Sequence, residues 1–372
     1  MARLDELCII NMGQSPDSST YNEDGNGLPF FQGNADFGAT YPVVRMWCSE
    51  PTKRAQIDDI LISVRAPIGA LNIANCECCI GRGLAALTVN KNSCIQKYLW
   101  YALSNKVEEL NSKGTGSTFK AINKKILAET EIPLTSLDEQ RKIAAVLDKV
   151  SDLIAKRRQQ LDKLDELVQA RFVEMFGDQD YPYKELISLI KEGAGLSYGI
   201  VQPGDDGTGD MGVLRPVDLI DGKIDTTSIK YIDRSIGEGF KKTELHGNEL
   251  LITVRGTTGI TALTDDRFIG MNVTRGIAVI RYDSEKINPV YLNTYLKTDK
   301  SQRYIQERTR GATLQQINLS DLRVQQILVP PRDEQEQFAA FVEQTEKTKT
   351  AISKSLEKLE TLKKALMQEY FG

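Results

Sequence analysis

The chain has 372 residues, of which 41% are hydrophobic and 26% charged, and its formal net charge is −4. This length predicts two or three domains, and the near-neutral charge argues against a nonspecific polyanion binder, which would carry a large basic excess. No apolar run approaches ~18 residues, and the first residues lack the apolar stretch of a signal peptide. We therefore expect a soluble, cytoplasmic protein.

In chain order, the sequence predicts two blocks that each combine short strands with a helix. Strands are predicted where β-branched, apolar runs are bounded by Gly, Pro, Asn and Asp, at 28–32, 60–64 and 84–89 in the first block and 213–215, 250–254 and 277–281 in the second. A helix is predicted after each set of strands, over Gln96–Ser112 and Pro289–Thr309. Each block should form a compact mixed α/β domain.

Each block is followed by a segment without helix breakers. No Gly or Pro occurs between Ser136 and Gly177, or between Pro331 and Gly372. Ser136 and Glu139 have the spacing of a capping box, and Pro330-Pro331 marks the corresponding start in the second segment. We predict one helix of about forty residues in each segment, which is roughly 60 Å long.

The two halves of the chain are copies of one unit. The sequence GSTFKAIN at Gly116–Asn123 returns as GATLQQIN at Gly311–Asn318, and LDKLDEL at Leu161–Leu167 returns as LEKLETL at Leu356–Leu362. Both pairs have the same offset of 195 residues. With two copies the period is too long for a solenoid, so each copy should be a globular domain with its own helix.

The predicted long helices carry apolar residues at heptad spacing. This narrow stripe is typical of a seam between two helices. The seam positions are Leu147, Val150, Ile154, Leu161, Leu164 and Val168 in the first helix and Ile352, Leu356, Leu359 and Leu366 in the second. Since a helix of this length does not fit inside either domain, we infer that the two helices pair antiparallel and act as a spacer.

The predicted fold class is therefore mixed α/β, with two related globular domains separated by two long antiparallel helices that form a coiled coil. The domains are residues 1–136 and 177–330, the spacer helices are 137–176 and 331–372, and the tandem repeat predicts pseudo-two-fold symmetry. Two related readers at a fixed separation suit duplex DNA, on which a two-fold protein engages two half-sites. Diverged copies predict an asymmetric, bipartite site.

Several paired motifs resemble a known family. They are LISVRAPIG (Leu61–Gly69) with LITVRGTTG (Leu251–Gly259), GRGLAAL (Gly81–Leu87) with TRGIAVI (Thr274–Ile280), LSYGIVQPG (Leu196–Gly204), and the helix openings IPLTSLDEQRKIA and ILVPPRDEQEQFA. Together with the order domain–helix–domain–helix, they resemble the specificity (S) subunit of type I restriction-modification systems over essentially the whole chain.

This resemblance implies a subunit without catalysis of its own. Each globular domain would be a target recognition domain that reads one half-site of double-stranded DNA, and the helices would dock two methyltransferase subunits, which restriction (translocase) subunits join. The methyltransferases would methylate adenine at N6. S-adenosylmethionine, ATP and Mg would be bound by those partners, with no cofactor and no metal in this chain.

Comparison of the two copies separates candidate phosphate contacts from candidate base contacts, because shared residues should serve shared roles. The arginine pairs Arg65/Arg255 and Arg82/Arg275 are kept, and guanidinium groups suit phosphate oxygens. An ion pair within each domain is an equally weighted alternative. The Gly-rich loops after positions 113 and 310 would let backbone N–H groups approach phosphates closely.

Residues that differ between the copies are candidates for base readout. Gln315-Gln316 replaces Lys120-Ala121 and could bind adenine through its amides, and the early loops diverge most. The DNA-binding candidates are Gln14, Ser15, Arg65, Arg82, Lys113, Thr115, Ser117 and Lys120 in the first copy and Tyr198, Gln202, Arg255, Arg275, Arg310, Thr313, Gln315 and Gln316 in the second.

Motifs of other classes are missing from the sequence. It has no GxxxxGK[ST] nucleotide loop and no Asn/Asp-Pro-Pro-Tyr segment of the adenine methyltransferase kind. His246, the single histidine, is predicted to lie at the surface, and the six cysteines, all in the first half, are predicted to be reduced thiols. The alternative function is a coiled-coil scaffold with protein-binding globular ends.

Overall fold

The computed structural model describes residues 1–116, 120–177, 179–204, 209–220 and 222–372. It divides into two compact units. Unit 1 comprises residues 1–159 and 353–372, and unit 2 comprises residues 160–352. Each unit therefore contains one globular domain together with one part of each long helix.

Unit 1 contains the strands and helices of the first copy. In chain order they are β1 (Ala2–Arg3), α1 (Leu4–Leu7), β2 (Cys8–Met12), β3 (Tyr21–Asn22), β4 (Leu28–Phe31), β5 (Trp47–Cys48), β6 (Arg54–Ala55), β7 (Ile60–Ser63), β8 (Leu71–Ile73), β9 (Cys78–Ile80), β10 (Leu84–Val89), α2 (Gln96–Asn105), α3 (Val107–Ser112), α4 (Lys124–Ala128), β11 (Glu131–Ile132) and the start of α5 (Leu137–Phe176).

The central sheet of unit 1 has the order β2-β10-β7-β8, with antiparallel neighbours, and is buried on both faces. Ile60 and Ile62 of β7 pack into a core with the helices, whereas Leu61 between them packs against a second sheet. A strand buried on both faces needs a continuous apolar run, which is why the motif around Leu61 does not alternate. The second sheet has the order β3-β5-β4-β9-β6, in which β4 and β9 are parallel.

Unit 2 contains the corresponding elements of the second copy. They are the end of α5, β12 (Tyr183–Glu185), β13 (Ser197–Tyr198), β14 (Met211–Leu214), β15 (Leu219–Ile220), β16 (Lys223–Ile224), β17 (Lys230–Ile232), α6 (Arg234–Gly237), β18 (Leu250–Thr253), β19 (Thr261–Leu263), β20 (Asn272–Val273), β21 (Ile277–Ile280), α7 (Pro289–Lys297), α8 (Asp299–Arg308), α9 (Leu319–Arg323), β22 (Gln326–Leu328) and the start of α10 (Arg332–Phe371).

The central sheet of unit 2 repeats that of unit 1. Its order β13-β21-β18-β19 matches β2-β10-β7-β8 strand for strand, and Leu250 and Ile252 face the helices while Leu251 faces the second sheet. In the second sheet, β17-β14-β20 matches β5-β4-β9 of unit 1, with one antiparallel and one parallel pair, whereas strands equivalent to β3 and β6 are absent from the described residues of unit 2. The two copies thus share the central sheet and three strands of the second sheet, and diverge at the edges of the second sheet.

The last residue of each long helix completes a hydrophobic core. In unit 1 the Phe371 ring lies 5.1 Å from Tyr98, whose hydroxyl donates to the Pro133 carbonyl at 2.7 Å. In unit 2 the Phe176 ring lies 5.0 Å from Tyr291, whose hydroxyl donates to the Leu328 carbonyl at 2.9 Å. The sequence MFG at Met175–Gly177 recurs as YFG at Tyr370–Gly372, and the phenylalanine of each is a core anchor.

Within each unit the parts of α5 and α10 run antiparallel. In unit 1, Leu147 near the start of α5 shares a core with Leu366 near the end of α10. In unit 2, Val168 near the end of α5 shares a core with Phe338 near the start of α10. Leu147, Val150 and Ile154 are buried, and Leu161, Leu164, Val168, Ile352, Leu356, Leu359 and Leu366 are half-buried, so the exposure pattern has the predicted heptad spacing.

Two predicted helices are wrong in extent. The predicted helix Gln96–Ser112 is divided into α2 and α3 at Lys106, whose N–H donates a hydrogen bond to the Leu103 carbonyl at 3.0 Å. Pro289–Thr309 is divided into α7 and α8 at Thr298, which has an extended backbone and caps α8 by accepting from the Ser301 N–H. Threonine prefers this capping position over a helix interior, and that preference ends the first helix. The six predicted strands are present, one with the predicted ends and five with ends shifted by one or two residues.

Candidate nucleic-acid interface

The predicted residue Arg65 lies at a corner of unit 1 where three segments meet. Past the end of β7, the Val64 N–H donates to the Gly83 carbonyl at 2.9 Å, and the Ile122 N–H donates to the Val64 carbonyl at 2.9 Å. The Ala66 N–H then donates to the Lys120 carbonyl at 3.0 Å. These bonds bring Arg65, Arg82 and Lys120 into one region, although up to 55 residues separate them in the chain.

The Gly-rich loop of unit 1 is closed by backbone hydrogen bonds. Thr115 and Ala121 exchange N–H to carbonyl bonds of 3.0 and 2.9 Å. Gly116 between them has a φ of +125°, which L side chains rarely adopt, so a glycine is required at this turn. Ser117, another predicted residue, lies outside the described residues. Thr115 and Lys120 are exposed at the base of this loop.

Unit 2 contains the same corner. The Val254 N–H donates to the Gly276 carbonyl at 2.8 Å, and the Ile317 N–H donates to the Val254 carbonyl at 3.0 Å. Arg310 and Gln316 exchange two backbone bonds of 2.8 Å, and Gly311 has a φ of +105°. The corner therefore brings Arg255, Arg275, Arg310, Gln315 and Gln316 together, and Gln315 and Thr313 are exposed.

The divergent early loops reach the same corners. In unit 1 the Gln14 N–H donates to the Ile80 carbonyl at 3.0 Å, and the Ser15 hydroxyl accepts from the Arg82 N–H at 3.3 Å. In unit 2 the Arg275 N–H donates to the Ile200 carbonyl at 2.9 Å. The exposed residues Tyr198 and Gln202 are both two positions from Ile200, so this loop lies beside Arg275.

The shared arginines have no ion-pair partner in the part of the chain that the structure describes. Arg65, Arg82 and Arg275 are exposed and Arg255 is half-buried, and no carboxylate of the described residues lies within 4.0 Å of their guanidinium nitrogens. The alternative of intradomain ion pairs is therefore not what the structure shows. Four unpaired guanidinium groups at two equivalent corners are free to bind anions.

Two other predicted cations are partly neutralised. Lys113 donates to Glu109 at 2.6 Å, and this hydrogen bond lowers the pKa of the Glu109 carboxyl, so the carboxylate stays charged beside Lys113. Arg310 lies 3.9 Å from Asp321, but its side chain is 74% exposed. These two residues have less free charge for a ligand than the shared arginines.

The sequence did not reveal a groove beside Arg65. It has a volume of about 430 Å³, and Gln32, Asn34 and Arg45 line it together with Arg65. Gln32 is the last residue of the strand predicted at 28–32, whereas Arg45 lies in a loop with no sequence pattern. The one available signal was the position of Gln32 at the end of a buried strand.

The described residues hold no group of three or more His, Cys, Asp or Glu side chains that could bind a metal ion. All six cysteines are free, and burial raises the pKa of Cys8 and Cys78 to about 12. His246 is exposed, as predicted. In the described part of the chain, no helix is long and apolar enough to span a membrane.

The family model for the type I restriction modification DNA specificity domain matches the chain twice, at residues 1–166 and 215–364. The chain belongs to this family. The two matches contain both corners, with Arg65 and Arg82 in the first and Arg255, Arg275 and Arg310 in the second. The family predicted from the paired motifs is thereby confirmed, and so is the duplication.

Curated members of the specificity-domain family are similar over different lengths. A protein described provisionally as the type I restriction enzyme MjaX specificity subunit of Methanocaldococcus jannaschii is 45% identical over 156 residues, which are 42% of this chain and 37% of that protein. The type I restriction enzyme EcoBI specificity subunit of Escherichia coli is 21% identical over 99% of this chain and 84% of its own length. The chain thus spans little more than a third of the first relative and most of the second.

A solved structure establishes the fold over the whole chain. The crystal structure of a type I restriction-modification system S subunit from M. genitalium covers 100% of this chain and 95% of its own, with a TM-score of 0.62 at 14% identity. The mixed α/β fold with two related domains and two long helices, predicted from the sequence, is confirmed.

Proposed function

We propose that the chain is the DNA specificity subunit of a type I restriction-modification complex. It binds an asymmetric, bipartite site on double-stranded DNA, and its two target recognition domains, residues 1–136 and 177–330, each read one half-site. The observation that carries this proposal is the pair of equivalent corners, each with unpaired arginines beside a loop whose sequence differs between copies.

The shared and divergent residues of each corner have different roles. The arginines at 65, 82, 255 and 275 bind phosphates, because backbone contacts position the protein and carry no sequence information. Lys120, Gln315 and Gln316 lie on the divergent loops and contact base edges, for which glutamine amides suit adenine and a lysine suits guanine. Gln14 and Ser15 in the first domain and Tyr198 and Gln202 in the second extend this surface.

The long helices dock the partner subunits. Leu153, Leu167 and Leu362 lie outside the heptad seam and are 38%, 47% and 46% exposed, which leaves apolar surface on the helices for two methyltransferase subunits. Restriction (translocase) subunits join that assembly. The chain itself is not catalytic and works in the cytoplasm, and S-adenosylmethionine, ATP and Mg are bound by its partners.

The coiled-coil scaffold with protein-binding ends is the weaker alternative. It gives no reason for four arginines at equivalent positions that have no ion-pair partner among the described residues, and the relatives are described, one of them provisionally, as specificity subunits of restriction enzymes. The two functions differ in salt dependence, because each lost phosphate contact reduces the slope of log K against log salt by about one.

A methylation map tests the proposal. The chain is co-expressed with its methyltransferase in a host without adenine methylation, and modified adenines are mapped by single-molecule sequencing. The expected result is a two-part motif that disappears when the chain is omitted. Methylation by an active methyltransferase that is independent of the chain would contradict the proposal.

Arginine variants give the matched control. Arg65→Ala with Arg255→Ala should weaken DNA binding by the complex at every sequence and lower its salt slope by about two. Arg3→Ala with Arg267→Ala removes the same charge from arginines that are already paired with Asp5 and Asp265, and should change neither property. Equal effects of the two pairs would mean that the corners do not bind phosphates.

A further inference from the structure

The groove beside Arg65 has a polar rim and an apolar floor. Gln32, Asn34, Arg45 and Arg65 contribute the hydrogen-bonding side chains, and Phe30, which is buried, and Met46, which is half-buried, contribute the floor. Its volume is about 430 Å³. The groove belongs entirely to unit 1.

The backbone of Gln32 is fixed on two sides. Its N–H donates to the Asp36 carboxylate at 2.7 Å, which also accepts from the Gly33 N–H at 3.4 Å, and its carbonyl accepts from the Gly83 N–H at 3.2 Å. A Cβ at position 83 would overlap the Gln32 carbonyl oxygen, so only glycine allows this approach. The side chain of Gln32 is exposed, and the backbone that positions it is held by these hydrogen bonds.

The four polar side chains of the groove are available to bind a ligand. No hydrogen bond from the side chains of Gln32, Asn34, Arg45 or Arg65 to another described residue is present, whereas Asp36 is occupied with the Gln32 and Gly33 N–H groups. Two amides and two guanidinium groups therefore face an open groove. An amide presents a donor and an acceptor side by side, which matches the N6 and N7 edge of adenine.

Unit 2 has a different residue at the equivalent position. Arg215 follows β14 as Gln32 follows β4, and its N–H donates to Asp218 at 2.7 Å as that of Gln32 donates to Asp36. The Arg215 guanidinium, however, binds the buried Asp218 at 3.1 and 2.8 Å and the Ser228 carbonyl at 2.6 Å. The position after β4 or β14 thus carries an amide without a hydrogen bond to the described residues in unit 1, and a guanidinium bound by Asp218 and Ser228 in unit 2.

From these observations we infer that Gln32 is a specificity-determining residue that contacts an adenine edge in the half-site read by the first domain. Asn34 and Arg45 contact the neighbouring bases, and Arg65 holds the phosphate that sets the register. In the second domain, the Arg215 guanidinium is already bound by Asp218, so Gln315, Gln316 and the early loop contact the bases. This inference rests on the proposed function and names the reading position within it.

The test is a methylation map with the complete complex containing Gln32→Ala. The expected result is loss of an adenine preference at one position of one half-site, by about tenfold to a hundredfold in relative methylation rate, while the other half-site is unchanged. Gln56→Ala is the matched control, because Gln56 is also exposed but precedes β7, at the end opposite Arg65. It should leave both half-sites unchanged.

A second variant separates base reading from loss of structure. Gln32→Glu keeps the size of the side chain but removes its donor, and a carboxylate accepts from cytosine N4 rather than pairing with adenine N6 and N7. It should move the preference at that position from adenine to cytosine. An unaltered motif with both Gln32 variants would overturn the inference and leave the proposed function standing, whereas a wild-type motif that does not depend on the chain would overturn both.

Discussion

The two sheets of each unit differ in how much they share with the other copy. The central sheet has the same strand order in both, and its corner uses the same backbone bonds, from Val64 to Gly83 in one copy and from Val254 to Gly276 in the other. The second sheets share three strands, β5-β4-β9 and β17-β14-β20, and differ at their edges. The copies have kept the part that forms the core and the corner with the shared arginines, and have changed the edges of the second sheet and the residue after β4 or β14, which is Gln32 in one copy and Arg215 in the other.

The difference shows where specificity can change without loss of the fold. A substitution in β7 of the central sheet alters residues that are buried between two hydrophobic cores, so it disturbs the packing on both faces. A substitution at the end of β4, such as at Gln32, affects an exposed side chain on a fixed backbone. Variable loops on a rigid scaffold are the usual location of recognition residues.

The largest expected effect comes from the anchors at the ends of the long helices. Phe371→Ala in unit 1 and Phe176→Ala in unit 2 each remove a buried ring from a core and should lower the free energy of unfolding by about 3–5 kcal/mol. Denaturant unfolding of the purified chain checks this. Val173→Ala, at an exposed position on α5, should cost less than about 0.5 kcal/mol. A small cost at either phenylalanine would mean that the helix ends are not structural equivalents.

A smaller, matched effect is expected for the glutamine of the repeated DEQ sequence. The Gln140 side chain accepts from the Ile95 N–H at 2.9 Å and donates to the Thr135 carbonyl at 2.8 Å, and Gln335 makes the same two bonds with Asn288 and Pro330, each at 2.8 Å. Alanine at either position leaves a buried N–H unsatisfied and should cost about 1–3 kcal/mol. The two costs should agree within about 0.5 kcal/mol, with the exposed Gln344→Ala as control; unequal costs would break the equivalence of the shared scaffold.

The reactivity of the native cysteines compares how well the two sheets of unit 1 are protected from solvent, without any substitution. Burial raises the pKa of Cys8 in the central sheet and Cys78 in the second sheet to about 12, so both are protonated at pH 8 and should react slowly with iodoacetamide. Cys76 is only half-buried and should react first. As the pH rises towards 12 the thiolate fraction and the rate should increase. If Cys78 reacted as fast as Cys76 while Cys8 stayed protected, the second sheet would be more accessible to solvent than the central sheet, and the expected burial of Cys78 would be contradicted.

Much of the shared part was predictable from the sequence. A constant offset of 195 residues identified the copies, and heptad spacing together with missing Gly and Pro predicted both long helices. The corner arginines were found because they are kept in both copies. These features are local or repeated, so a pattern in the chain is enough to reveal them.

The groove and the core anchors were not predicted. Gln32, Arg45 and Arg65 line one groove only because β4 pairs with β9 and the turn at Gly83 brings β7 beside them. The strands involved have two to four residues, which is too short for a hydrophobic periodicity to be recognised in the sequence. Phe176 and Phe371 belong to a repeated sequence, but their partners Tyr291 and Tyr98 lie more than a hundred residues away in the chain. The breaks at Lys106 and Thr298 depend on single capping and turn interactions within otherwise helical runs.

The central claim is that one scaffold carries two different readers, and a domain exchange tests it most directly. Residues 1–136 are replaced by a second copy of residues 177–330, assembly with the methyltransferase is verified, and the methylated motif is mapped. The account predicts that the asymmetric motif is replaced by one that contains the half-site of the second domain twice. An assembled, active complex that still methylates the original asymmetric motif would contradict it.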